Sequence, residues 1–140
     1  MIVLDTNVVS GFMKNRFDEV LAAWLDSQTD EIWTTAVTVH EVRFGLNVHP
    51  DGQKRRRWEE QFRLMIDVKL KGRVLPLDAK AATQSAAILA KARGLGRPVD
   101  LRDIFIAGVV AARPDAVLAT RNTRHFADAG ISLVDPWQDV

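Results

Sequence analysis

A chain of 140 residues suits one domain better than two. It can bury roughly two-thirds of its unfolded surface, so folding requires neither disulfides nor a structural metal. The absence of cysteine excludes disulfides, thiolate metal sites and thiol nucleophiles. A formal net charge of +1 means that any nucleic-acid partner must be argued from local patches rather than from global charge.

The N-terminus, Met1-Ile2-Val3-Leu4-Asp5, lacks the basic-then-apolar layout of a signal peptide, and no apolar run approaches the roughly 20 residues of a membrane span. The expectation is a soluble, cytoplasmic protein with residues 1–140 forming one domain.

Ile2-Val3-Leu4 is a short, β-branched run that stops at Asp5-Thr6-Asn7 and reads as a buried strand feeding a helix. Phe17, Val20, Leu21, Trp24 and Leu25 recur at helical spacing, which predicts an amphipathic helix over about 17–27. Residues 32–36 form a second strand candidate. Thr38 followed by Glu41 has the spacing of a capping box, predicting a helix over about 39–47 with Glu41 in its first turn. The turn cluster His49-Pro50-Asp51-Gly52 precedes a long helix over about 53–70, with Trp58, Phe62, Met65, Ile66 and Leu70 on one face. Val74-Leu75-Pro76-Leu77 reads as an edge strand. Asp78 caps an alanine-rich helix reaching about Arg93. After the break at Gly94-Leu95-Gly96-Arg97-Pro98, a helix over about 101–113 follows, with Asp100 as its cap. Residues 116–120 and 131–134 complete the strands. Strands alternating with helices at these intervals imply a mostly parallel sheet with helices on both faces.

Ligands of open α/β sheets bind beyond the carboxyl ends of the strands. Asp5, Glu41, Asp103 and Asn122 all fall at or just after such ends. Three carboxylates in one crevice repel each other, and a hard divalent cation relieves the repulsion. Mg²⁺ or Mn²⁺ takes carboxylate oxygens and water, needs no sulfur or imidazole, and suits phosphodiester hydrolysis through an activated water. Each residue also has a structural reading. Asp5 and Asp103 fit helix starts, and Glu41 fits a capping-box partner.

The motifs themselves point further. Ile2-Val3-Leu4-Asp5-Thr6-Asn7-Val8 resembles the opening strand and "DTN" signature of PIN-domain proteins, particularly toxin ribonucleases of VapC and FitB type. Thr38 to Leu46 resembles their second motif, in which a Glu opens a helix ending in Gly-Leu. Pro98 to Ala107 resembles the third, built around an Asp. Leu118 to Phe126 resembles the fourth, "T-R-N-x-x-x-F", and Ile131 to Pro136 the closing strand and turn.

The resemblance covers nearly the whole chain, with the motifs in order. It implies a PIN-like three-layer α/β/α sandwich and a metal-dependent endoribonuclease. It also implies an antitoxin partner and a homodimer. It makes Asp5, Glu41 and Asp103 the acidic metal ligands, and Thr6 and Thr120 small hydroxylic supports. Asn122 stands where relatives carry Asp or Asn, and His125 where many carry an acid. These two departures favour one firmly held ion over two. Ala107-Gly108 matches a small pair suited to close helix–sheet packing.

Between Lys54 and Arg73 eight basic side chains face three acidic ones, either an RNA-tracking surface or a solvated helix face. Arg121 and Arg124 flank Asn122 and are the better candidates for substrate phosphate. Trp24 and Trp58 lie on apolar stripes and read as packing residues rather than base-stacking platforms. Two other classes compete with the nuclease. One is a different Mg²⁺-dependent α/β phosphotransfer protein, disfavoured by Asn7 where a dehalogenase-type phosphatase needs a second Asp. The other is a non-catalytic binding module of the same fold.

Overall fold

The computed structural model describes residues 1–14 and 18–138. Phe17, the first residue of the expected 17–27 stripe, lies outside them. Five strands form one sheet in the order β3-β2-β1-β4-β5, and every pairing is parallel. In chain order the elements are β1 (Ile2–Leu4), α1 (Thr6–Lys14), α2 (Glu19–Ser27), β2 (Ile32–Thr35), α3 (Ala36–Val48) and α4 (Gln53–Leu64). There follow β3 (Val74–Leu75), α5 (Ala79–Gly94), α6 (Leu101–Ala111), β4 (Val117–Ala119) and β5 (Ser132–Val134). No helix among the described residues is long and apolar enough to cross a membrane.

The period-two geometry of a strand divides the core. Ile2 and Leu4 join one apolar cluster with Val8, Val9, Leu21, Trp24, Val42 and Phe62. Val3 joins another with Leu75, Ile106, Ala107, Val110 and Leu118. Adjacent residues of a strand point to opposite faces, so the helices fall into two layers. α1 to α4 cover one face and α5 with α6 the other. β1 occupies the centre of the sheet and is buried on both faces, which explains why its three residues are uniformly apolar.

Several expected boundaries shift for identifiable reasons. The capping box at Thr38 and Glu41 does not form. β2 runs straight into α3, and the Thr35 hydroxyl accepts the Thr38 N–H at 3.1 Å. The helix therefore begins three residues earlier than expected, and Glu41 sits in its second turn. Asp78 and Asp100 do cap their helices, and Asp18, expected inside a helix, instead caps α2, each accepting a first-turn N–H. The long helix expected to reach residue 70 ends as α-helix at Leu64. It closes through a π-type turn over Met65–Lys69, where the Leu70 N–H reaches back to the Met65 carbonyl. The extra residue in that turn keeps both Met65 and Leu70 buried. β3 is only two residues long, and Pro76 falls outside it.

Gly108 also differs from expectation. Its partner is α5 and not the sheet. A Cβ placed on Gly108 would lie 2.6 Å from both the Ala81 carbonyl oxygen and the Ser85 Cβ. Contact that close to backbone leaves no room for relaxation by a flexible side chain. Gly108→Val is expected to lower the unfolding free energy by at least ~2 kcal/mol through overpacking, read as a shift in urea midpoint. A midpoint equal to wild type would remove the close-approach explanation.

Candidate functional site

Strand order reverses around β1, with β2 on one side and β4 on the other. The crevice beyond their carboxyl ends is the position where such sheets place ligands. Asp5 follows β1 directly and is 4% exposed. Its two carboxylate oxygens are held separately. Oδ1 accepts the Thr6 N–H at 2.8 Å, and Oδ2 accepts the Thr120 hydroxyl at 2.7 Å. Thr120 follows β4, so this bond ties the ends of the two neighbouring strands together. A hydrogen bond to a charged group contributes roughly 1.5–3 kcal/mol, and here it also fixes the carboxylate's direction.

The hydroxyl residues extend this arrangement. Thr6 Oγ1 lies 3.0 Å from Thr38 Oγ1, joining α1 to α3. Thr120 Oγ1 accepts the Asn122 N–H at 3.0 Å. Glu41 projects from α3 towards the same crevice, and its Oε1 is buried without a hydrogen-bond partner among the described residues. Asp103, in the first turn of α6, lies with its Oδ2 3.1 Å from His125 Nδ1, a contact in which the ring N–H donates.

All three carboxyl groups are pushed above the usual carboxylate range. Burial is the main cause for Asp5, opposed by the Thr120 and Thr6 hydrogen bonds. Burial also leads for Glu41, opposed by the nearby positive charge of Arg102 and reinforced by repulsion from Asp5 and Asp103. For Asp103, burial again leads, opposed by the His125 hydrogen bond and reinforced by Asp100. Asp103 thus lies close enough to raise the proton affinity of both Asp5 and Glu41, and Asp5 close enough to raise that of Glu41.

Other sequence candidates are placed differently. Asn122 is exposed and meets the cluster through its backbone N–H. Arg121 turns aside, with its guanidinium 3.7 Å from the centre of the Trp137 ring. Arg124 is exposed and lines a cavity of about 280 Å³ with Arg97, Asp103 and His125. Much of the 54–73 basic run is engaged in ion pairs: Arg55 with Glu59, Arg56 with Asp51, Arg63 with Glu60, Lys69 with Asp26 and Arg73 with Glu31. That favours the solvated-face reading. Trp24 is core, whereas Trp58 lines a smaller cavity of about 140 Å³ beside Glu41.

Two participants were missed from sequence. Thr38 was read as a helix cap, yet it holds Thr6. Arg102 was given no role, although it borders both Glu41 and Asp103. Its signal was present: a cation in the first helical turn opposes the helix dipole.

The crevice fits a hard divalent cation. Its donors are carboxylate oxygens, the buried Glu41 Oε1 lacks any other partner, and mutual repulsion calls for a counter-ion. Among the described residues, no three His, Cys, Asp or Glu side chains gather closely enough to hold a metal ion as they stand. An open donor set is what Mg²⁺ uses, taking one or two carboxylates and completing its shell with water and substrate oxygens.

The architecture and its acidic crevice define an α/β/α protein with a site at the switch point of a parallel sheet. The PIN-domain pattern matches residues 2–131, and the chain belongs to the PIN-domain family. It is 37% identical over 139 residues to VapC ribonuclease Y4jK of Sinorhizobium fredii, covering 99% of each chain. It is 34% identical over 140 residues to toxin FitB of Neisseria gonorrhoeae, covering 99% of this chain and 100% of that protein. The solved structure of FitAB bound to the IR36 DNA fragment matches with a TM-score of 0.86 at 32% identity, covering 99% of this chain and 96% of that one.

A raised folded-state pKa contributes stability that is fully present below the unfolded value, near 4.5 for Glu41, and is lost as pH rises through the folded one. Ionised Glu41 therefore destabilises the metal-free fold at neutral pH. Glu41→Gln is expected to raise the metal-free Tm at pH 7, with the gap closing below about pH 4.5. Added Mg²⁺ or Mn²⁺ should raise the wild-type Tm more than the variant's. Circular dichroism melts check both, and identical metal-free melts would place Glu41 outside the repelling cluster.

Proposed function

We propose that this protein is a divalent-metal-dependent endoribonuclease and the toxin of a toxin–antitoxin pair. The observation that carries the reading is the meeting of Asp5, Glu41 and Asp103 at the switch point, each with raised proton affinity and one with an unpartnered buried oxygen. The ribonuclease name of one relative and the toxin name of another support it.

Asp5, Glu41 and Asp103 would hold Mg²⁺ or Mn²⁺, which when bound supplies Lewis acidity and an activated water for phosphodiester hydrolysis. The chain's own groups do the rest. Thr6 and Thr120 keep Asp5 directed into the crevice. His125 orients Asp103 by hydrogen bonding. Asn122 and Arg124, exposed at the rim, are placed to meet the RNA backbone. Asn122 adds oxygen without charge and His125 adds no carboxylate, so the site favours one firmly held ion.

The FitAB assembly supports an antitoxin partner, and the family resemblance a homodimer. Phe44 and Val48, a turn apart on α3, are 57% and 65% exposed. An apolar strip of this kind suits burial by another chain.

Asp103→Asn is expected to reduce RNA cleavage by more than ~100-fold, since even the loss of outer-shell partners of a metal costs 10–100-fold. Its far-ultraviolet spectrum should match wild type. Purified protein, Mg²⁺ or Mn²⁺ and cellular RNA with 5′-end mapping provide the test. Undiminished cleavage by Asp103→Asn would sink the site assignment. A wild-type chain that binds neither ion and cuts no RNA would leave the non-catalytic binding module instead.

A further inference from the structure

We propose that Arg102 binds the substrate phosphate at this site, a fixed guanidinium doing the charge work that a second metal ion would otherwise do. The proposal rests on the ribonuclease reading and adds a residue and a mode of substrate contact to it.

Arg102 is the second residue of α6, beside Asp103. It is tethered in two places: Nε donates to Asp100 Oδ1 at 3.1 Å, and Nη2 donates to Asp100 Oδ2 at 2.8 Å. Asp100 also caps α6 by accepting the Arg102 N–H at 2.8 Å. One carboxylate thus starts the helix that carries Asp103 and aims the guanidinium beside it. A doubly bonded guanidinium is pre-organised and loses little freedom on gripping an anion. Its Nη1 edge faces away from the Asp100 pairing. The side chain is 54% exposed, so a ligand can reach it.

Its surroundings suit a nucleotide strand. Arg102 lines the 140 Å³ cavity beside Glu41 together with Thr6, Ser10, Lys14 and Trp58. Lys14 and Arg102 are the lysine and arginine of that lining, Thr6 and Ser10 add hydroxyls and Trp58 an indole beside apolar Met13, Val42 and Leu46, and Glu41 joins the cavity to the acidic site. A polyanion entering three clustered carboxylates needs positive charge beyond a single ion. Positions 122 and 125, as Asn and His, do not build a second carboxylate site. Arg102 stands where that missing charge is needed.

A simpler role would be a counter-ion to Glu41 and Asp103, whose charges it opposes. The two roles predict different things. Removing a positive charge leaves metal affinity unchanged or tighter in both. Only a phosphate contact also weakens the grip on RNA and flattens its salt dependence.

The experiment measures RNA cleavage at saturating Mn²⁺ across a salt series, with Mn²⁺ affinity by calorimetry, for wild type, Arg102→Ala, Arg102→Lys and Asp100→Asn. Arg102→Ala is expected to lower kcat/KM by roughly tenfold or more and to reduce the salt slope by about 0.7, the value of one single-strand phosphate contact. Arg102→Lys should restore the slope but only part of the rate. Asp100→Asn keeps a good N-cap and should keep the slope while losing rate, because the guanidinium is no longer aimed. Unchanged kcat/KM and slope in Arg102→Ala would overturn the proposal, as would a loss wholly explained by weaker Mn²⁺ binding. If wild type cleaves no RNA with any divalent ion, the ribonuclease reading itself falls, an outcome distinct from an active enzyme indifferent to residue 102.

Discussion

Placing the Asp5 carboxylate at the end of a strand buried on both faces removes it from water, and most of the site is arranged around that cost. An ionised carboxylate in such a place persists only with hydrogen bonds and a compensating charge. Thr6 supplies the first bond from the backbone and Thr120 the second from a hydroxyl. The second bond requires β4 to lie beside β1, and so depends on the strand order itself. Thr120 then steers Asn122 through its N–H, and Thr6 reaches Thr38 on α3. One buried charge thereby couples two strands and two helices.

The same burial makes the crevice unstable alone. Asp103 raises the proton affinity of Asp5, and Asp5 and Asp103 together raise that of Glu41. The protein gives up stability at neutral pH to keep them together, a pattern expected where a fold is arranged for function rather than for rigidity. A cation that binds the folded state and not the unfolded one would restore that stability. Folding and the binding of such an ion would therefore be linked through these three residues.

Much of this was legible in the residues. The apolar run of β1 ending at Asp5, the alternation of strands with helices and the order of motifs led to a parallel α/β/α sandwich and to the acidic trio. Side-chain direction was less accessible. Thr38 and Glu41 have capping-box spacing, yet Thr35 is the last residue of β2 and the helix begins at the next residue, so Thr35 caps first and shifts the helix. Arg121 flanks Asn122 in sequence, but Trp137, about 16 residues on, offers its ring face as a closer partner for the guanidinium. That indole is itself fixed by donating to Asp18 Oδ2 at 2.9 Å. Within the basic run, Arg55, Arg56 and Arg63 meet acids near in sequence, whereas Lys69 and Arg73 meet the distant Asp26 and Glu31. Long-range pairing of this kind carries no local signal.

These rearrangements of charge bear on how the site treats a substrate. With Arg121 drawn to Trp137 and most cations of the 54–73 run occupied by ion pairs, positive charge near the acidic trio comes from Lys14 and Arg102 on one side and from Arg97 and Arg124 on the other. Arg97 is itself paired with Asp128 at 3.0 Å, as Arg102 is with Asp100. Held in this way, guanidinium groups do not collapse onto the carboxylates, which would neutralise the crevice and displace a cation from it. The acids near α6 therefore have opposite duties. Asp103 faces the crevice, whereas Asp100 and Asp128 restrain arginines at its rim.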